Sequence, residues 1–133
     1  MPLGYIVYPE LKLLFIRGTG VITQPERVST LLSWLRDPGY AECVDALFDV
    51  SSAQSTPKVA ELRELIAILR QQGGDAGPRR LAVVTSKPIA YGVAQLFGFL
   101  LQTKDMPLQV KVFLDAELAW AWLRPATPPF EMR

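Results

Sequence analysis

The sequence contains no histidine and only one cysteine, Cys43. Histidine is the side chain that most often acts as a general base near neutral pH, as a zinc ligand or as the base of a catalytic triad. Its absence argues against those enzyme classes, so we expect a protein without catalytic residues. A lone cysteine forms no disulfide within the chain, and Cys43, which precedes an apolar segment, is expected to be a buried structural thiol.

Neither sign of charge predominates, since 14 basic residues are balanced by 13 acidic ones. Only Arg79 and Arg80 form a basic cluster, which is too small for the concentrated positive patch that nucleic acid requires. The N-terminal residues lack the basic start and the apolar run of a signal peptide, and no uncharged stretch supplies the roughly 20 apolar residues of a membrane helix. We therefore expect a cytoplasmic protein with no nucleic-acid partner and no membrane span.

The common signatures of cofactor and metal sites are also missing. Gly18 and Gly20 lack the third glycine and the Lys-Ser/Thr pair of a phosphate-binding loop. Asp45 and Asp49 lie on a predicted strand at a spacing that separates them by roughly 13 Å, too far for a catalytic carboxylate pair. No carboxylates cluster at the spacing of a metal site. We predict no cofactor and no metal, and we expect Asp49 to orient the loop after its strand.

Strand-like and helix-like segments alternate along the chain, of which 50% of the residues are hydrophobic. Two β-rich segments, residues 4–8 and 11–17, predict a hairpin, and further strands are predicted at residues 45–50, 80–86 and 109–115. Helices are predicted after four potential capping residues: Thr23, Thr56, Ser86 and Asp115. The order ββαβαβαβα predicts an α/β fold with a mainly parallel sheet and an antiparallel N-terminal edge. We predict one domain over residues 1–123 and a proline-rich tail over residues 124–133.

The third predicted helix, residues 88–103, carries no charge. One apolar stripe is expected to pack on the sheet: Ile89, Val93, Leu96, Phe97 and Leu100. On the other side, small residues recur every four positions and would let another backbone approach closely. We predict that this second side contacts a protein partner or an apolar ligand, because a helix that is apolar on both sides usually has neighbours on both. The predicted contact residues are Tyr91, Ala94, Gly98, Phe99 and Leu101.

Two alternatives would leave this second side without an external partner. The proline-rich tail could cover it, or the fourth helix could do so with Trp120 and Trp122.

A further feature is a hydroxyl cluster before the second helix, in which Ser55 and Thr56 are candidate regulatory sites. A phosphate there would meet the positive end of a helix dipole, although helix capping is the more ordinary role of such residues.

Four segments carry a resemblance to a known family: LLFIRGTGVITQPE, DALFDVSSA, RRLAVVTSKPIAYGVAQLF and VKVFLDAELAWAWL. They resemble the SpoIIAA-like superfamily, the STAS fold of anti-sigma factor antagonists, and in particular its STAS/SEC14-like branch of small bacterial proteins. The resemblance implies a four- or five-stranded sheet, no known catalysis, and roles in protein interaction or, in SEC14-like relatives, lipid binding. Anti-sigma factor antagonists carry a phosphorylatable serine after the central strand. Here Ser55 and Thr56 keep the hydroxyls, but Pro57 and Lys58 depart from that pattern.

The leading interpretation is a non-enzymatic, regulatory or protein-interaction domain that self-associates through residues 88–103, as a homodimer or larger homo-oligomer, or binds another protein. The alternative is a small carrier or sensor of an apolar, lipid-like ligand. A third interpretation is a phosphorylation-regulated switch like an anti-sigma factor antagonist, acting through Ser55 or Thr56.

Overall fold

Five strands form one sheet in chain order: β1 (Leu3–Tyr8), β2 (Leu13–Gly20), β3 (Asp45–Ala53), β4 (Arg80–Val84) and β5 (Gln109–Phe113). The computed structural model describes residues 2–73, 76–103 and 108–124. β1 and β2 are antiparallel and are joined by a short 3-10 turn, Pro9–Leu11, whereas all other neighbouring strands are parallel. The predicted α/β fold, with a mainly parallel sheet and an antiparallel hairpin, is confirmed.

Four helices cover the two faces of the sheet: α1 (Gln24–Leu35), α2 (Val59–Gly73), α3 (Pro88–Thr103) and α4 (Ala116–Leu123). Each parallel connection moves to the next strand in the same direction, and such crossovers are right-handed. α1, α2 and α3 therefore lie on one face. α4 follows the last strand and packs against β3, β4 and β5 on the opposite face.

Successive side chains of β3 point to opposite faces of the sheet and so belong to two separate hydrophobic cores. Ala46 and Phe48 pack on the side of α1 and α3, whereas Leu47 packs on the side of α4.

The starts of α1 and α4 are stabilised by capping hydrogen bonds from nearby side chains. Thr23 Oγ1 accepts a hydrogen bond from Glu26 N at 3.3 Å, and an Asp115 carboxylate oxygen accepts one from Glu117 N at 2.7 Å. Both predicted capping residues are confirmed.

The start of α2 differs from the prediction. Thr56 was expected to cap this helix with Pro57 at its first position, but α2 begins at Val59. The backbone N–H of Lys58 donates to Glu61 Oε1 at 2.8 Å, so a side chain of the first turn stabilises a later start. Thr56 and Pro57 instead belong to the segment between β3 and α2.

β3 is also longer than predicted, because β2 continues to pair with it beyond Asp49. After a register shift between Arg17 and Thr19, the residues Thr19 and Gly20 pair with Ser52 and Ala53. The first hydroxyl-bearing residues after Asp49 are therefore part of the strand and not of a loop. Asp49 orients the residues that follow it, since it accepts hydrogen bonds from Ser51 N at 3.0 Å and Ser51 Oγ at 2.6 Å.

α3 is rotated about its axis relative to the prediction. Ile89, expected on the sheet, is 74% exposed, whereas Leu101, expected on the outer side, is completely buried. Ala94 is buried in the core, and a Cβ atom at Gly98 would lie 3.3 Å from Val110 Cβ on β5. The small residues thus face the sheet because they permit its close approach. Phe99 is exposed, as expected.

Candidate functional site: an apolar cavity between the sheet and three helices

A cavity of about 580 Å³ lies between the sheet and α1, α2 and α3. α1 contacts β1 and α3 contacts β5, whereas the main contacts of α2 are with α1 and α3. α2 therefore stands off from the strands, and the space beneath it stays open. Protein interiors are usually close-packed, and small-molecule sites occupy about 300–1,000 Å³. The volume of this cavity falls within the range of small-molecule binding sites.

The floor of the cavity is formed by the three central strands. Parallel register places Leu14, Ala46 and Leu81 side by side across the sheet. One pleat further on, Ile16, Phe48 and Val83 form a second row. Because side chains alternate along each strand, both rows face the helices. All six side chains line the cavity, so its floor is entirely apolar.

The helices complete the apolar wall. α2 contributes one side chain from each of three successive turns: Leu62, Leu65 and Leu69. α1 contributes Leu31 and Trp34, and α3 contributes Ile89, Ala90, Val93, Ala94 and Phe97. The wall can therefore accept hydrocarbon, because these mainly aliphatic and aromatic side chains offer dispersion contacts.

Polar residues gather at one end of the cavity, where β3 ends and α3 begins. Gln54, Thr56 and Lys87 are exposed there, and Ser55 lies between the first two. In α/β sheets, ligands bind beyond the carboxyl ends of parallel strands. This end is the mouth of the cavity.

Arg27 and Lys87 are the charged residues among the described residues that line the cavity. Arg27 Nη1 donates to Gln24 Oε1 at 3.2 Å and lies 3.8 Å from Glu61 Oε1. Burial lowers the pKa of Arg27, and the carboxylates of Glu61 and Glu26 oppose that shift. The charge of Arg27 is thus compensated within the protein.

Ser55 and Thr56, the predicted regulatory hydroxyls, lie at the mouth. Ser55 Oγ accepts a hydrogen bond from Ile22 N at 2.9 Å and donates one to Ile22 O at 3.1 Å. It therefore ties the segment before α2 to the segment before α1, and a phosphate on it would break both contacts. Thr56 is exposed to solvent. Phosphorylation of either residue stays a prediction.

The five predicted contact residues of α3 do not form one outer surface. Ala94 lines the cavity, and Tyr91 packs partly into the same core. Gly98 faces β5, and Leu101 is completely buried. Only Phe99 presents a large exposed surface, with 61% of its area accessible. Neither Arg27, in the first turn of α1, nor Lys87, between β4 and α3, was indicated as a site residue, because an isolated cation carries no distinctive sequence pattern.

Of the two segments expected to cover the outer side of α3, the structure describes the position of α4. α4 packs on the opposite face of the sheet, so Trp120 and Trp122 do not cover the outer side of α3. The predicted covering tail comprises residues 124–133, of which residues 125–133 lie outside the described residues. Within the described ranges, no group of three or more His, Cys, Asp or Glu side chains is placed to hold a metal ion.

Comparison with known proteins identifies the architecture. No protein-family model matches the chain, and no curated protein is significantly similar to it. A solved structure from Shewanella loihica PV-4, an uncharacterised protein from the DUF3478 family with a SpoIIAA-like fold, matches with a TM-score of 0.54 and 20% identity over 84% of each chain. The chain has a SpoIIAA-like fold. At this identity the likeness concerns the fold, and at that level the predicted resemblance is confirmed.

Within the SpoIIAA-like fold, the cavity lies on one side of the sheet. In this chain the helical side of the sheet holds the cavity, and the other side is closed by α4. Among the described helices, none combines the length and the apolar content needed to cross a bilayer.

Proposed function

We propose that this protein is a non-enzymatic cytoplasmic carrier or sensor that binds an apolar small molecule between the sheet and α1, α2 and α3. The observation that carries the proposal is the cavity of about 580 Å³ with its aliphatic and aromatic lining. The lack of histidine supports a role without catalysis. The buried carboxylates of Asp45 and Asp49 support it too, because both are engaged by neighbouring side chains.

The energetics of such binding favour a hydrocarbon chain. Each buried methylene contributes about 0.8 kcal/mol, so about ten methylenes would contribute roughly 8 kcal/mol. Association itself costs about 4–15 kcal/mol, and much of the gain is therefore offset. A hydrocarbon chain alone would bind weakly, and contacts at the mouth would decide the affinity.

Replacing Ala90 with tryptophan tests this proposal. Ala90 lines the cavity from α3, and an indole there would occupy space that a ligand needs. We expect the unmodified protein to enhance the fluorescence of the neutral apolar probe N-phenylnaphthylamine, and we expect Ala90→Trp to weaken probe binding at least about tenfold, a loss of about 1.4 kcal/mol.

Ala121→Trp is the matched control, because Ala121 is an exposed helical alanine on α4, across the sheet from the cavity. This variant should bind the probe normally. Circular dichroism establishes that both variants are folded. Equal probe affinity in folded Ala90→Trp and in the unmodified protein would contradict the cavity as the binding site.

Self-association through α3 is a second candidate function, supported by the exposure of Phe99 and by the position of β5 at the edge of the sheet. An edge strand presents backbone groups that can pair with another chain. In this case Phe99→Asp should weaken a dimer by at least about 2 kcal/mol, or roughly 30-fold, in sedimentation equilibrium. Gln95→Asp, at another exposed position of α3, is the control. A monomeric unmodified protein at tens of micromolar would refute this candidate.

A further inference from the structure

We propose that the ligand is amphipathic and anionic, with a single hydrocarbon chain in the cavity and a carboxylate held by Lys87 at the mouth. This inference rests on the proposed binding function and adds the chemistry of the head group.

The position of Lys87 is fixed by contacts with β3. It lies between β4 and α3, and its Nζ donates to Ala53 O, at the end of β3, at 3.2 Å. The preceding residue, Ser86, donates from Oγ to Ser51 O at 2.7 Å. Two contacts thus tie the segment before α3 to β3 and hold the ammonium group at the mouth.

The charge of Lys87 is not compensated by the protein. The described residues that line the cavity include no aspartate and no glutamate, and no ion pair joins Lys87 to a carboxylate of the described ranges. An ammonium group has three N–H donors, and one of them is used by Ala53 O. Two donors and a full positive charge are therefore available to a ligand.

The first turn of α3 adds to this positive environment. The N–H groups at the start of a helix have no partner within the helix, and its dipole favours negative charge there. Ile89 and Ala90, in this turn, also line the cavity. A head group bound to Lys87 would lie next to these N–H groups while its chain entered the apolar space.

A carboxylate fits one lysine better than a phosphate does. Phosphate carries more charge and more acceptor oxygens, and proteins commonly bind it with the paired donors of arginine or with several cations. At this mouth the only other cation of the described lining, Arg27, is already paired with Glu61. A monoanionic head on a single chain is the occupant whose charge matches the site.

Calorimetric titration with dodecanoate and with dodecanol, below their aggregation concentrations, tests the head group at constant chain length. A hydrogen bond to a charged group contributes about 1.5–3 kcal/mol, so the protein should bind dodecanoate roughly 10- to 100-fold more tightly than dodecanol. Lys87→Met should abolish this preference by lowering the affinity for dodecanoate far more than the affinity for dodecanol. Lys87→Arg should keep the preference, as should Lys58→Met, which removes an exposed lysine outside the lining.

The outcomes separate the two proposals. If the neutral probe binds but the preference for dodecanoate is absent or survives in Lys87→Met, the head-group inference is overturned and the cavity proposal stands. Tighter binding of dodecyl phosphate than of dodecanoate would overturn the assignment of a carboxylate. If the unmodified protein binds none of these molecules, both proposals are wrong.

Discussion

Replacing Arg80 with methionine should lower the free energy of unfolding by about 3 kcal/mol, because it leaves the buried carboxylate of Asp45 with one cation fewer. Arg80 donates from Nε to Asp45 Oδ1 at 2.9 Å and from Nη2 to Asp45 Oδ2 at 3.2 Å. The side chain of Asp45 is only 3% exposed, so water cannot replace these bonds. The loss should lie at the lower end of the range for broken buried ion pairs, because Arg124 remains 3.4 Å from Asp45.

Arg80 also docks the end of α4. Its Nη1 and Nη2 donate to the backbone oxygens of Trp122 and Leu123 at 3.1 and 3.0 Å, and its guanidinium carbon lies 5.4 Å from the centre of the Trp122 ring. The carbonyl groups in the last turn of a helix have no partner within the helix, so these bonds supply one. We therefore expect Arg80→Met to loosen α4 and to change the fluorescence of the folded protein.

Urea unfolding of Arg80→Met and Arg79→Met measures the effect. Arg79 is the neighbouring arginine in the chain, and its side chain is exposed, so its replacement should change stability by less than about 0.5 kcal/mol. Equal stability losses in the two variants would show that general charge, and not the Asp45 cluster, is responsible. No loss in Arg80→Met would show that Arg124 alone suffices for Asp45.

Gly77→Ala should destabilise the protein by about 2–6 kcal/mol, for two reasons that add. Gly77 has a φ of +94°, a conformation that costs a residue with a side chain about 1–3 kcal/mol. A Cβ atom there would overlap the Tyr40 ring at Cζ, and relieving such a clash costs about 1–3 kcal/mol. Tyr40 is only 7% exposed and also lines the cavity, so relief of the overlap would move its ring within the core.

Gly92→Ala is the matched control, because it makes the same chemical change inside α3, where a Cβ atom would meet nothing within 4 Å. Alanine is the better helix former by about 1 kcal/mol, so this variant should be slightly more stable. The two changes should thus have opposite signs in denaturant unfolding. A neutral Gly77→Ala variant would contradict the close approach of Gly77 to Tyr40.

The order of elements could be predicted from the sequence because its signals are local. Thr23 and Asp115 are capping residues followed by apolar helical spacing, and both occupy their predicted positions. The apolar segment 80–86 predicted a buried strand, and β4 occupies its first five residues, Arg80–Val84. The capping residue alone did not predict the start of α2. Glu61 stabilises a start at Val59, two residues after Pro57.

The rotation of α3 could not be predicted, because a helix that is apolar all round has no polar face to mark its outer side. Large side chains were expected on the sheet side, and Val93 and Phe97 do line the cavity. The small residues Ala94 and Gly98 also face the sheet, because they permit close contact with the core and β5. The position of the cavity also escaped prediction, because an apolar ligand was expected on the outer side of α3 and the cavity lies on its sheet side. It depends on how far α2 stands from the strands, a distance that no local pattern encodes.

The chain-order arrangement of the strands has a consequence for biogenesis. Each strand pairs with the one synthesised just before it, so every pairing closes a modest loop, and topologies rich in near-neighbour contacts fold comparatively fast. A polypeptide emerging from the ribosome can add one strand at a time to the growing sheet. The side of the sheet that carries the cavity is then assembled before α4 is released, and the opposite side stays exposed to water until α4 is added.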